Sequence, residues 1–79
     1  MLNRQLWILQ KTIGLKVEKG KKEYKLDINS LLVEPNEDTK KLVELGYLKG
    51  LGLFDGMRFY MITQKGIQYL EDYYDIKIL

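Results

Sequence analysis

The spacing of apolar residues divides the chain into seven short elements. Leu2, Leu6, Leu9 and Ile13 recur at steps of four, three and four, the repeat of one helix face, with Trp7 widening it. Asn3 is placed to cap this helix and Gly14 to end it. Glu23 to Leu26 alternates and predicts a short strand with Tyr24 and Leu26 on one side. Asp27 then has the character of a helix N-cap. Ile28, Leu31 and Leu32 follow it at i, i+3 and i+4, which predicts a second helix over 28–33, broken at Glu34-Pro35. A third helix is predicted from Pro35-Asn36. Glu37 and Asp38 lie in its first turn, Leu42 and Leu45 face inward, and Gly46 serves as its left-handed terminator.

Two apolar runs next flank Asp55-Gly56, a dipeptide that predicts a hairpin closed by a two-residue type I′ turn. That turn sets the pairs Phe54–Met57, Leu53–Arg58, Gly52–Phe59, Leu51–Tyr60, Gly50–Met61 and Lys49–Ile62. Alternation places Leu51, Leu53, Tyr60 and Ile62 on one face with Lys49 and Arg58. The other face takes Phe54, Met57, Phe59 and Met61, with Gly50 and Gly52. Thr63 caps a last helix with Ile67, Leu70 and Tyr74 as its stripe. The predicted order is helix, strand, helix, helix, strand, strand, helix.

Composition narrows the chemistry. Seventy-nine residues form one domain, and an apolar fraction of 46% suffices for a small core. The chain has no Cys and no His, and Ser30 is its one serine. Disulfides, thiolate or imidazole metal sites, and Cys–His or Ser–His–Asp catalysis are thereby excluded. No Gly-rich phosphate loop follows a strand, so no cofactor and no enzymatic activity are expected. The carboxylates of Glu71, Asp72 and Asp75 lack further oxygen ligands for a metal, and a plain acidic surface is the expectation. The LWIL run near the N-terminus is too short for a signal peptide or a membrane span, which with the lack of Cys points to a cytoplasmic protein.

Net charge is +2 and uneven: residues 1–41 carry nine Lys/Arg against six Asp/Glu, residues 42–79 four against five. The excess gathers at KVEKGKKEYK, which reads as a solvated loop.

LVELGYL (42–48) and YMITQKGIQYLE (60–71) carry a resemblance to the winged helix-turn-helix family of small bacterial, archaeal and phage regulators. The likeness spans about residues 24–72. It implies an α+β fold in one domain, 1–79, with a small antiparallel sheet. Its parts would be a helix-turn-helix at about 27–46, a wing hairpin at about 47–63 and a C-terminal helix at about 64–76. It also implies binding of duplex DNA by a transcriptional regulator acting as a dimer, with the third helix in the major groove and the wing on the backbone. Carried onto this chain, the contacts would be Asn36, Thr39, Lys40 and Lys41 on the third helix and Lys49 and Arg58 in the wing, with Arg4 and the Lys19–Lys25 loop adding phosphate contacts. Helix capping competes with base contact at Asn36, and Trp7 is expected in the core or at a dimer contact. The alternative is a protein-interaction module that docks a partner, or a second copy, through Phe54, Met57, Phe59 and Met61. That face either meets another molecule or is covered by the first helix and the C-terminal DIKIL segment.

Overall fold

A computed structural model describes residues 1–26, 28 and 30–79. Its elements are α1 (Asn3–Thr12), β1 (Glu23–Tyr24), β2 (Ser30–Val33), α2 (Glu37–Glu44), β3 (Leu48–Phe54), β4 (Met57–Ile62), α3 (Gln64–Tyr74) and β5 (Lys77–Ile78). The fold is α+β, with three helices and two small sheets among the described residues. No helix among the described residues is long and apolar enough to cross a membrane.

The helix stripes build the core as their periodicity predicts. Leu6, Leu9 and Ile13 of the first stripe are buried with Leu42, Leu48, Tyr60, Ile62 and Leu70. Leu2 is the exception. Leu2, and not the expected Asn3, is the N-cap of α1; no turn precedes it, and it remains exposed. Trp7, expected in the core or at a dimer contact, is 57% exposed, and Lys11 lies 5.5 Å from the centre of its ring. One helical step from the stripe turns the indole away from the sheet.

Residues 30–33 correct the predicted second helix. They form β2 and pair antiparallel with β4, matching Ser30 with Met61 and Val33 with Arg58. The reason is that a short apolar run satisfies both periods, and pairing decides between them. β4 has one edge taken by β3, and β2 satisfies the backbone groups along the other. Ile28, the first residue of the supposed helical stripe, is exposed. Asp27, the expected cap, lies outside the described residues. Among the described residues a strand, not a helix, therefore stands directly before α2 where a helix-turn-helix requires a helix, and the order becomes α-β-β-α-β-β-α-β.

The strand at Glu23–Tyr24 does not join the hairpin. It pairs in parallel with β5, so the C-terminal segment folds here rather than over the hairpin. Leu79 N–H donates to the Tyr24 carbonyl at 2.7 Å, and Ile78 N–H donates to the Glu71 carboxylate at 2.9 Å. Tyr24 is buried, and its hydroxyl accepts the Glu18 N–H at 2.8 Å, tying down the Lys-rich loop from within. At the end of α3, burial and the neighbouring Tyr73 raise the Tyr74 phenol above its ordinary pKa.

The hairpin closes as expected. Asp55 and Gly56 both have positive φ, 51° and 78°, as a type I′ turn requires. Phe54–Met57 and Leu53–Arg58 pair as predicted, and then the register slips. Gly50 faces Tyr60, Lys49 faces Met61 and Leu48 faces Ile62, so β3 carries one extra residue between Gly50 and Leu53. This β-bulge is compatible with the Gly-Leu-Gly sequence, since glycine adapts where a strand bends. Its consequence is a change of face below the bulge. Leu48 takes the core position beside Ile62, while Lys49 passes to the other side of the sheet.

Candidate nucleic-acid interface

α2 begins with a reciprocal cap. Asn36 Oδ1 accepts the Thr39 N–H at 2.9 Å, and Asn36 N–H donates back to Thr39 Oγ1 at 2.9 Å. Thr39 Oγ1 also donates to the Asn36 carbonyl at 3.0 Å. Two N-terminal amides that the helix cannot satisfy internally are thereby paired. Thr39 is fully buried, which removes it from any surface that could reach a base. Its small side chain fits under the first turn, and its hydroxyl is satisfied there. Asn36 is exposed, but its side-chain oxygen is engaged in the cap. Asn36→Ala is expected to cost about 1 kcal/mol in urea unfolding, with Asn36→Asp restoring most of it. A base-reading Asn36 would instead show a loss of affinity that Asp does not rescue.

The first-turn carboxylates have different fates. Asp38 turns back to α1, where Arg4 Nε lies 2.7 Å from Oδ2 and Gln5 Nε2 donates to Oδ1 at 3.2 Å. This takes one negative charge off the outer face of α2 and occupies Arg4, which sequence reading had free for phosphate. The pairing spans 34 residues, so no local pattern announces it. Glu37 stays exposed.

Lys40 and Lys41 are both exposed. Lys40 lines an open groove between α2 and the sheet with Asn36, Glu37, Glu44, Gly50 and Arg58. A Cβ at Gly50 would come within 3.1 Å of Arg58 Nη1 and 3.2 Å of its Cδ, so the missing side chain lets the Arg58 stem lie across the strand. Two cations and two carboxylates share this groove, and their formal charges balance. Lys49 does not join it. The bulge places Lys49 in the row of Met61, on the opposite face from Arg58, so the two wing cations diverge.

No family model matches the chain, and neither do the curated proteins or the solved structures with which it was compared.

The other expected surface is where the hairpin pattern put it. Phe54 is 66% exposed, Phe59 40% and Met57 36%, while Met61 is half-buried. Leu32 of β2, which sequence reading had inside a helix, stands beside Phe59 in this face. Among the remaining acidic residues, Glu71 holds β5 and Asp72 accepts from Gln68 Nε2 at 3.0 Å, so both have structural partners. Sequence reading also missed a row of rings beside α3. Tyr47 meets Tyr69 at a tilt with ring centres 5.0 Å apart, Tyr69 stacks on Tyr73 at 6.1 Å, and Lys65 lies 5.4 Å over Tyr47. The spacing of Tyr69 and Tyr73, one helical turn apart, was the available signal.

Proposed function

We propose that this chain is a non-catalytic module that binds duplex DNA, with α2 as the reading helix and the β3–β4 hairpin as its wing. In this reading it is a reduced winged helix. The succession α1, β2, α2, β3, β4, α3 keeps the reading helix and the wing, and β2 stands where the first helix of the helix-turn-helix would be. A role as a small transcriptional regulator of the cytoplasm, of the bacterial or phage kind, follows from the same reading.

The observation that carries it is the outward pair Lys40 and Lys41 on a capped helix whose Asp38 is drawn away by Arg4 and Gln5. Arg58 extends the pair across the groove to the wing. Exposed ammonium groups on one helix bind phosphate by displacing counterions, so affinity falls with salt. With Glu37 and Glu44 nearby, non-specific binding belongs at the weak end, with Kd on the order of 10⁻⁴ M at physiological salt.

Fluorescence anisotropy with a labelled random duplex, titrated at several salt concentrations, is the test. The expected result is a log–log salt slope of about −2 to −3, the signature of two or three phosphate contacts. No binding at about 20 mM salt, where screening is weakest, would sink the reading.

The second reading, a protein-interaction module, is favoured by a different observation: the exposed Phe54, Met57 and Phe59 on the outer sheet face. Contiguous apolar surface of this kind marks an interface.

A further inference from the structure

The three helices contribute to one side of the three-stranded sheet. Leu6 and Leu9 of α1, Leu42 of α2 and Leu70 of α3 meet Leu48, Tyr60 and Ile62 there. The far side is built from three rows. Ser30, Met61 and Lys49 form one, Leu32 and Phe59 the next, and Met57 and Phe54 the last, beside the Asp55 turn. Among the described residues of these rows, the two polar side chains, Ser30 and Lys49, stand in the first, and the other two rows are apolar. The C-terminal segment, which could have covered it, is paired with β1 instead.

We propose that a second copy of this chain packs on this face, sheet against sheet about a two-fold axis that crosses the strands near Phe59. Two features select a second copy. The first is charge. That axis brings the Lys49 end of each sheet over the Asp55 tip of the other, so the cation of the face meets an anion, and the apolar middle meets itself. The second is area. Phe54, Phe59 and Met57 together leave on the order of 300 Å² of apolar side chain open per copy. Leu32 and Met61, each partly exposed, extend it. A standard interface takes about 800 Å² from each partner, so this face suits a small, reversible dimer.

The pairing has a geometric consequence that rests on the DNA reading. Stacked sheets lie about 10 Å apart, and a helix adds about 10 Å on each flank. The two α2 helices are then separated by on the order of 30 Å, near the roughly 34 Å of one duplex turn. A site with two half-sites one turn apart is the matching target.

Sedimentation velocity of the whole chain from about 5 to about 500 μM tests the interface directly, a range suited to a small contact area. Monomer–dimer exchange is expected within it. Phe59→Thr and Phe59→Glu are each expected to stay monomeric throughout, with circular dichroism and Tm preserved. Thr keeps the strand preference, so loss of the dimer cannot be ascribed to unfolding. Lys49→Asp is expected to weaken the dimer at least several-fold, and adding Asp55→Asn to recover part of the loss. A native chain that is monomeric at the top concentration overturns the proposal. So does a folded Phe59→Glu variant that dimerises like the native chain, or a monomer that takes up an unrelated protein on this face. Failure of all duplex binding leaves the sedimentation result standing. A dimer that binds one half-site as tightly as two overturns the spacing alone.

Discussion

Replacing Gly66 by alanine is expected to destabilise the protein by about 2–4 kcal/mol, against the usual direction of such a change. In an exposed helix interior, Gly to Ala gains about 1 kcal/mol. Here a Cβ would lie 2.5 Å from the Tyr47 carbonyl oxygen and 2.7 Å from Ile62 Cγ1. The isoleucine could rotate, but the carbonyl cannot readily withdraw, because it accepts the Thr63 N–H at 3.1 Å. Thr63 in turn caps α3 through Gly66 N–H at 3.1 Å and donates to the Gly46 carbonyl at 2.6 Å. One methyl group therefore pushes on the junction where the end of α2, the end of β4 and the start of α3 meet. In a domain of this size the loss corresponds to a fall in Tm of roughly 10–25 °C. Gly52→Ala is the control. Its φ is not positive and nothing lies within 4 Å of the new Cβ, so a shift within about 0.5 kcal/mol is expected. Thermal unfolding followed by circular dichroism measures both. A Gly66→Ala protein as stable as the native one would refute the close approach.

The largest functional effect is expected from Lys40→Ala combined with Lys41→Ala. Both side chains are exposed, and alanine preserves the helix, so stability should change little. Duplex affinity at low salt should fall on the order of 10- to 100-fold, and the salt slope should shrink by about two. Lys19→Ala with Lys22→Ala, in the loop held by Tyr24, is the matched control and should leave the slope unchanged. Equal losses from the two pairs would mean that charge alone attracts the duplex and that α2 has no special place in binding. Anisotropy titrations of the two double variants beside the native chain separate these outcomes.

The parts of the fold that sequence reading predicted are those decided within a few residues. Asn36 caps α2 because its side chain reaches an amide three residues on, and Thr63 does the same for α3. Gly46 sits at φ 82° and ends α2 because a side chain there would be strained. Asp55-Gly56 closes the hairpin for a similar reason. The stripe at Leu6, Leu9 and Ile13 is legible because a helix repeats its faces wherever it packs. Of the candidate site, Lys40 and Lys41 are exposed as their positions on that helix imply.

What local reading misplaced depends on neighbours far along the chain. Ser30–Val33 has too few residues to prefer either period, and the open edge of β4 made it a strand. The bulge at Leu51-Gly52 lies between two correctly predicted ends and moved Lys49 from one face to the other. Asp38 lies in the first turn of α2, and its pairing with Arg4 and Gln5 joins residues more than thirty positions apart. Thr39 was offered to DNA but lies beneath the first turn of its own helix.

The sequence by itself therefore determined the caps of α2 and α3, the turn and the apolar stripes of α1, α2 and α3, because short-range hydrogen bonds, backbone strain and side-chain periodicity set them. The tertiary structure alone decided the strand at 30–33, the parallel β1–β5 pair, the face on which Lys49 stands and the neutralisation of Asp38. Each of these is a choice between locally comparable alternatives, and backbone pairing or a distant charge supplies the free energy that separates them.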